Sequence, residues 1–180
     1  MTGIIIRKVK DSDRDAIIDI FNYYVKEGFA AYPDTPVPPG FFNILIEGIH
    51  TCFIIENNGE VVGFSILRPL LPFPAFATTA TISTFIEHSS RNQGFGKKLL
   101  EHVENEAKSR EIGLLLANIS SKNQESLNFH AKHGFFECGR FHKAGIKFNT
   151  PFDLVWMEKN WYSQGVTTRS GIMYQGQLLS

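Results

Sequence analysis

The chain has 180 residues, 43% hydrophobic and 20% charged, which is the composition of one folded domain and excludes a disordered chain. Its 18 basic residues balance 18 acidic ones, so a protein dedicated to binding duplex nucleic acid or a membrane surface, which needs a basic face, is not expected. No secretory leader and no apolar run of ~18 residues is recognisable, so a cytoplasmic protein is expected.

Hydrophobic periodicity predicts alternating strands and helices. The first helix is supported by apolar residues spaced i, i+3, i+4, i+7, i+8 from Ile17 to Val25, with Gly28 at its end. An Asn58-Gly59 pair between two apolar runs predicts a β-hairpin. In chain order we expect strand 4–9, helix 11–28, helix 41–49, strands 51–56, 61–67 and 78–86, helix 94–110, strand 114–119, helix 120–133, and two final strands ending before Trp161.

These elements form a single domain of residues 1–161, followed by a tail of residues 162–180 that loses its hydrophobic period. A frayed end and an arm docked on a partner subunit would both explain the tail. Cys52 and Cys138 lie in apolar, strand-like runs, so two buried free thiols are expected.

The turn at residues 91–98, Arg-Asn-Gln-Gly-Phe-Gly-Lys-Lys, joins a predicted strand to a strongly amphipathic helix. Two glycines at a helix start leave backbone N–H groups accessible, and the helix dipole adds about half a positive charge there. The turn therefore predicts an anion site. It is neither a Walker A loop nor a complete dinucleotide fingerprint, and the turn alone would equally fit a structural corner.

A second polar segment follows the apolar strand at 114–119. Residues 120–126 are rich in capping side chains, so Asn123 lies at a helix entry, while His130 lies near the other end of that helix and Gly134 ends it. His130 alone would be read as a core histidine packed beneath Phe135. His130 and His133 are spaced i, i+3, yet no third ligand stands at a suitable spacing, so no metal is expected.

Together the two segments resemble the GNAT superfamily of acyl-CoA-dependent N-acetyltransferases. R-N-Q-G-F-G is similar to its Q/R-x-x-G-x-G/A pyrophosphate loop, and N-Q-E-S-L-N-F-H-A-K-H-G-F to its N-x-x-[AS]-x-x-x-Y-x-x-x-G-F segment. Four further segments resemble the phosphinothricin and methionine sulfone N-acetyltransferase branch. They are I-F-N-Y-Y-V, A-Y-P-D-T-P-V, R-P-L-L-P-F-P and G-R-F-H-K-A-G-I-K-F-N-T-P-F-D-L-V-W-M. The resemblance covers about residues 4–161.

The resemblance implies a mixed α/β fold, with a mostly antiparallel sheet of about six to seven strands, splayed in the middle and flanked by about four helices. Acetyl-CoA is expected in the cleft as co-substrate, without a metal, and the chain is expected to form a homodimer that binds neither nucleic acid nor membrane. The residues expected to contact acetyl-CoA are Phe85, Ile86, Arg91, Asn92, Gln93, Gly94, Phe95, Gly96, Lys97, Asn123 and Ser126.

The same resemblance implies an acceptor pocket and a set of catalytic groups. The acceptor is a small amino-acid-like molecule whose amine attacks the thioester directly, and its pocket is shaped by the proline-rich loop 68–76 and by Phe29, Tyr32, Arg68, Lys147 and Phe148. His130 stands where most members carry a tyrosine that protonates the thiolate, and imidazole can act as acid or base near neutral pH. Thr81 aligns with the branch's glutamate base but cannot carry a negative charge.

The general base therefore stays open between Glu87, His130 and a water held by Thr81. The missing acid also leaves a second function open, a non-catalytic module that binds or senses acyl-CoA. A third possibility is a peptide N-terminal acetyltransferase, although a bulky proline-rich loop favours a closed pocket over the open groove that a peptide requires.

Overall fold

The computed structural model describes residues 3–162, and in this range seven strands and four helices follow the predicted order. The strands are β1 (Ile4–Lys8), β2 (Thr51–Asn57), β3 (Glu60–Pro69), β4 (Thr79–Ile86), β5 (Leu114–Ser120), β6 (Phe136–Lys147) and β7 (Thr150–Asn160). The helices are α1 (Arg14–Glu27), α2 (Phe41–Ile46), α3 (Phe95–Ser109) and α4 (Gln124–Lys132). The mixed α/β fold implied by the sequence is confirmed.

All seven strands belong to one sheet in the order β1-β2-β3-β4-β5-β7-β6. Neighbouring strands are antiparallel except β4 and β5, which are parallel. The predicted β2–β3 hairpin turns at Asn58 and Gly59, whose φ angles of 55° and 87° are those of a two-residue turn matched to the sheet twist.

Helices cover both faces of this sheet. Ile54 of β2 belongs to an apolar cluster with α1 and α2, while the adjacent Ile55 packs with α3, as expected because successive strand residues point to opposite faces. The predicted stripe of α1 is buried at Ile17, Phe21 and Val25. The largest cluster of the described residues lies between α3 and strands β4, β5 and β7.

The sheet opens between its two central parallel strands. β4 and β5 pair only where residues 79–81 face residues 114–116, although β4 continues to Ile86 and β5 to Ser120. Beyond Thr81 and Leu116 each strand keeps its outer neighbour, β3 or β7, but not the other central strand. The result is a V-shaped cleft with one exposed backbone edge on each side.

The structure differs from the sequence predictions at the end of α2 and at one of the two cysteines. α2 ends at Ile46 instead of residue 49, because Glu47 is extended and Gly48 has a φ of 65°. Cys52 is buried but Cys138 is exposed, since it lies on β6 at the edge of the sheet. Among residues 3–162 no helix has the length and apolar character to cross a membrane. The predicted tail is residues 162–180, of which 163–180 lie outside the described range.

Candidate active site

A cavity of about 290 Å³ occupies the splayed part of the sheet. Its walls come from the facing ends of β4 and β5, from α4 and from the loop after α1. The residues on the β4, β5 and α4 side are Thr81, Ile82, Ser83, Thr84, Phe85, Ala117, Asn118, Ile119, Ser120, Asn123, Ser126 and His130. The residues from α1, the loop after it, α2 and β3 are Phe21, Phe29, Ala30, Ala31, Tyr32, Pro33, Phe41, Leu45, Ile66 and Arg68.

The predicted anion-binding turn leads directly into α3. Asn92 and Gly94 have φ angles of 61° and 81°, and the first intrahelical bond runs from the Lys98 N–H to the Gly94 carbonyl at 3.2 Å. The N–H groups of residues 95–97 therefore have no acceptor within the helix. A Cβ on Gly96 would lie 3.3 Å from the Phe129 ring, so this glycine lets α3 begin close to α4.

The side chains of the turn contribute in different ways. Phe95 is 3% exposed and packs into the core, so only its backbone is available to a ligand. Asn92, Gln93 and Lys97 are exposed. The Arg91 guanidinium is held by Glu125 at the start of α4, at 2.8 Å, and by Nδ1 of His88, at 2.6 Å. Ligand contacts of this turn would thus combine backbone amides with one restrained cation.

The end of β4 and the start of α4 carry the other residues expected to contact acetyl-CoA, of which Phe85, Asn123 and Ser126 line the cavity and Ile86 does not. Phe85 lines the cavity with its ring among core aromatics, whereas the Ile86 carbonyl accepts a hydrogen bond from Tyr24 at 2.5 Å. Asn123 caps α4 by accepting from the Ser126 N–H at 3.2 Å. Asn123 and Ser126 both reach the cavity.

His130 combines burial with a defined tautomer. Its side chain is 6% exposed, lies against the edge of Phe135 and lines the cavity. Nδ1 is 2.8 Å from the Ser126 carbonyl oxygen, which can only accept, so Nδ1 carries the proton and Nε2 is a bare acceptor. Burial lowers the pKa of His130 below its usual 6.5. The neutral imidazole is thus suited to accept a proton.

The two other candidate bases occupy different environments. Thr81 lines the cavity and its hydroxyl donates to the Arg68 carbonyl at 3.5 Å. Glu87 instead caps the turn after β4, accepting from the backbone and hydroxyl of Ser89 at 3.1 and 2.6 Å. Those hydrogen bonds lower its pKa, and it is not among the cavity residues. Glu87 is therefore withdrawn as a catalytic residue.

Three residues expected at the acceptor pocket, Phe29 and Tyr32 of the loop after α1 and Arg68 of β3, line the cavity. Tyr32 stacks on Phe152, and its hydroxyl lies 3.4 Å from both oxygens of Asn118 across the cleft. Burial raises the pKa of Tyr32 to about 12, so the hydroxyl keeps its proton. The Arg68 guanidinium donates to the Leu45 and Glu47 carbonyls at 2.6 and 3.0 Å, which also satisfies the end of α2.

Lys147 and Phe148 do not line the cavity, contrary to the sequence expectation. Lys147 is 2% exposed, and its ammonium donates to the carbonyls of Gly28 and Ala31 at 2.7 Å and of Tyr24 at 3.3 Å. Phe148 contacts Phe29 from behind the wall. Both residues support the acceptor side without facing it. The described residues of the proline-rich loop beyond Arg68 also lie outside the lining.

Sequence reasoning missed Asn118 and the apolar side walls. Asn118 was detectable as a polar residue inside the otherwise apolar run of β5. Phe41, Leu45 and Ile66 gave no such signal, because an apolar residue that faces a cavity has the same pattern as one that faces the core.

Comparisons with known proteins agree with this geometry. The sequence profile of the acetyltransferase (GNAT) family matches residues 17–135. The L-methionine sulfoximine/L-methionine sulfone acetyltransferase of Pseudomonas aeruginosa is 28% identical over 160 residues, covering 86% of this chain and 93% of that protein. The phosphinothricin N-acetyltransferase of Streptomyces coelicolor is 24% identical over 161 residues, covering 86% and 94%.

A solved structure from Salmonella typhimurium that contains acetyl-CoA has a TM-score of 0.81 to this chain at 25% identity, covering 89% of this chain and 95% of that one. The family profile spans more than half of the sequence and includes both predicted motifs. The chain therefore belongs to the acetyltransferase (GNAT) family, and its resemblance to the phosphinothricin and methionine sulfone N-acetyltransferases is confirmed.

Proposed function

We propose that this protein transfers an acetyl group from acetyl-CoA to the amine of a small amino-acid-like acceptor by direct attack on the thioester. The observation that carries the proposal is the presence of three features in one domain: a helix start with free N–H groups, a cleft between two splayed central strands, and a cavity lined by a neutral histidine. The acetyl group and the amine would meet at that cavity.

The donor half fits the three chemical parts of acetyl-CoA. The free N–H groups at the start of α3, with Arg91 and Lys97, suit the diphosphate. The unpaired edges of β4 and β5 suit the amides of the pantetheine arm, which can bind a strand edge as an added strand does. Asn123 and Ser126 add side-chain contacts at the cavity. Acetyl-CoA supplies the electrophile, a thioester carbon.

His130 is the proton acceptor in this proposal. The attacking amine must be neutral, and Nε2 of His130 is the unprotonated nitrogen on a side chain that lines the cavity. As the nitrogen–carbon bond forms and the carbon–sulfur bond breaks, one proton leaves the amine, and the departing thiolate takes one up. Thr81 and Tyr32 also line the cavity, but neither hydroxyl is a base at neutral pH.

Turnover is tested by incubating the protein with acetyl-CoA and a panel of amino acids, methionine sulfone and phosphinothricin, and titrating the released thiol. We expect thiol release that depends on both protein and acceptor. N-acetylmethionine is the matched control, because its nitrogen is already acylated and it should give the blank rate. No release above the blank across the panel would contradict the proposal.

The competing functions predict different results. A non-catalytic acyl-CoA sensor would show a rise in melting temperature with acetyl-CoA but no turnover. A peptide N-terminal acetyltransferase needs an open groove, whereas the cavity of about 290 Å³ is near the lower end of small-ligand pockets. The size of the cavity thus favours a single amino acid over a peptide.

Cytoplasmic location and dimerisation remain part of the proposal. A free, buried Cys52 agrees with a reducing compartment. β6 is a long edge strand on which Phe136 and Phe141 are 55% and 60% exposed. A second copy of the chain could pack against this strand.

A further inference from the structure

Resting on the proposed function, we infer that the acceptor is an amino acid with an apolar side chain, in preference to the sulfone or phosphinate that the named relatives suggest. The observation is that the part of the cavity lined by α1, the loop after it, α2 and β3, here called the acceptor half, is mostly apolar. Phe21, Phe29, Phe41, Leu45 and Ile66 present aromatic and aliphatic groups there. None of the described residues that line the cavity is an aspartate or a glutamate.

Two hydroxyl groups that line the cavity near these residues already have partners within the protein. The Thr81 hydroxyl donates to a carbonyl, and the Tyr32 hydroxyl lies against Asn118. Once the α-carboxylate occupies Arg68, a sulfonyl or phosphinyl oxygen that enters this pocket gives up its water to a largely apolar wall, and such desolvation is costly. A thioether or a branched alkyl group carries no such penalty and gains from burial.

Arg68 is a positively charged side chain that lines the cavity. Because it can bind a carboxylate, it favours an amino acid as the acceptor. Two of its nitrogens bond the carbonyls of Leu45 and Glu47. A guanidinium has five N–H donors, so donors remain for the α-carboxylate. The wall thus offers one anion contact for the carboxylate and apolar surface for the side chain.

The test compares L-methionine with L-methionine sulfone, which share one carbon chain and differ by the two sulfonyl oxygens. We expect kcat/KM to be about tenfold or more higher for methionine, the scale of an unpaired buried polar group. Leu45→Asn should decrease the ratio of kcat/KM for methionine to kcat/KM for methionine sulfone about fivefold, because it adds an amide to the cavity lining. Ile44→Asn is the matched control, since Ile44 is adjacent on α2, 59% exposed and outside the lining.

The outcomes separate this inference from the proposed function. Equal or faster turnover of methionine sulfone would overturn the apolar preference while leaving the acetyltransferase function intact. No turnover of either amino acid, or of the rest of the panel, would overturn the proposed function itself. A ratio that changes equally in both asparagine variants would show that the wall at Leu45 does not select the acceptor.

A different observation carries a second inference: we propose that Lys147 is a positioning residue that fixes the acceptor loop. An ammonium has three N–H groups, and three carbonyls surround this one, two in the last turn and cap of α1 and one, Ala31, in the loop. The C-terminal end of a helix also favours a cation. Lys147 therefore ties the β6–β7 hairpin to the wall that Phe29 and Tyr32 form.

Lys147→Met removes the donors while keeping most of the apolar stem. We expect KM for the acceptor to rise roughly tenfold, as for the loss of charge-assisted hydrogen bonds, with kcat and the Kd of acetyl-CoA nearly unchanged. Lys143→Met is the matched control on the same strand, because Lys143 is exposed. An unchanged acceptor KM in a folded Lys147→Met protein would overturn the role, and so would an equal loss of acetyl-CoA affinity.

Discussion

Replacing His130 with asparagine should lower kcat/KM by about 10²- to 10⁴-fold, the usual contribution of a positioned general base. The asparagine amide can still donate to the Ser126 carbonyl in place of Nδ1, so the helix keeps that bond while the basic Nε2 is lost. Acetyl-CoA affinity and melting temperature should change little. Steady-state kinetics with calorimetric binding would measure both.

The lowered pKa of His130 predicts how activity and stability depend on pH. Burial lowers the pKa of His130 below 6.5, so the residue is neutral at pH 7 and active as a base. Activity due to His130 should fall as the pH decreases through that lowered pKa, and this acidic limb should vanish in the variant. The free energy of unfolding should also fall below pH 6.5, because the unfolded chain then binds a proton that the folded chain binds more weakly.

His133→Asn is the matched control for His130→Asn. His133 makes the same kind of bond, from Nδ1 to the Phe129 carbonyl at 2.7 Å, but does not line the cavity. Its variant should keep near wild-type kcat/KM. A His130→Asn protein with activity within about threefold of wild type, far from the 10²-fold minimum, would show that another group takes the proton.

Replacing Gly94 with valine should weaken acetyl-CoA binding by about 5- to 30-fold. Its φ of 81° lies in the left-handed region, where a residue with a side chain costs about 1–2 kcal/mol and a branched one more. Relaxing that strain moves the turn away from the shape that presents the N–H groups of residues 95–97. Isothermal calorimetry with acetyl-CoA measures the loss.

Gly59→Val separates the loss of binding from a loss of stability. Gly59 has a φ of 87° and open space around its Cβ position, as Gly94 has, but it lies in the β2–β3 hairpin. Its variant should lose melting temperature and keep the acetyl-CoA Kd. The same Kd for the Gly94 variant and wild type would mean that the diphosphate binds elsewhere.

Much of the fold was predictable because local patterns determine it. The spacing of apolar residues in α1, the Asn58-Gly59 turn and the glycines before α3 each act within a few residues, and the structure has all three where the sequence places them. The apolar pattern continues to Ile49 and so predicts an end of α2 past Gly48, whereas the helix ends at Ile46, before that glycine. The exposure of Cys138 depends on strand order, which a local pattern does not contain.

The candidate site was only half predictable for the same reason. Asn123, Ser126 and His130, which all belong to the second motif, line the cavity, whereas residues 91–98 of the first motif do not. The family resemblance places Lys147 at the acceptor pocket, but its actual partners are backbone carbonyls more than a hundred residues away in the chain. Every residue supplies such carbonyls, so the sequence contains no sign of them.

The most direct test of the account is a crystal structure of the protein with acetyl-CoA. We expect diphosphate oxygens within hydrogen-bonding distance of the N–H groups at the start of α3, the pantetheine arm between β4 and β5, and the thioester beside His130. Acetyl-CoA bound elsewhere, with the start of α3 covered by side chains, would contradict it.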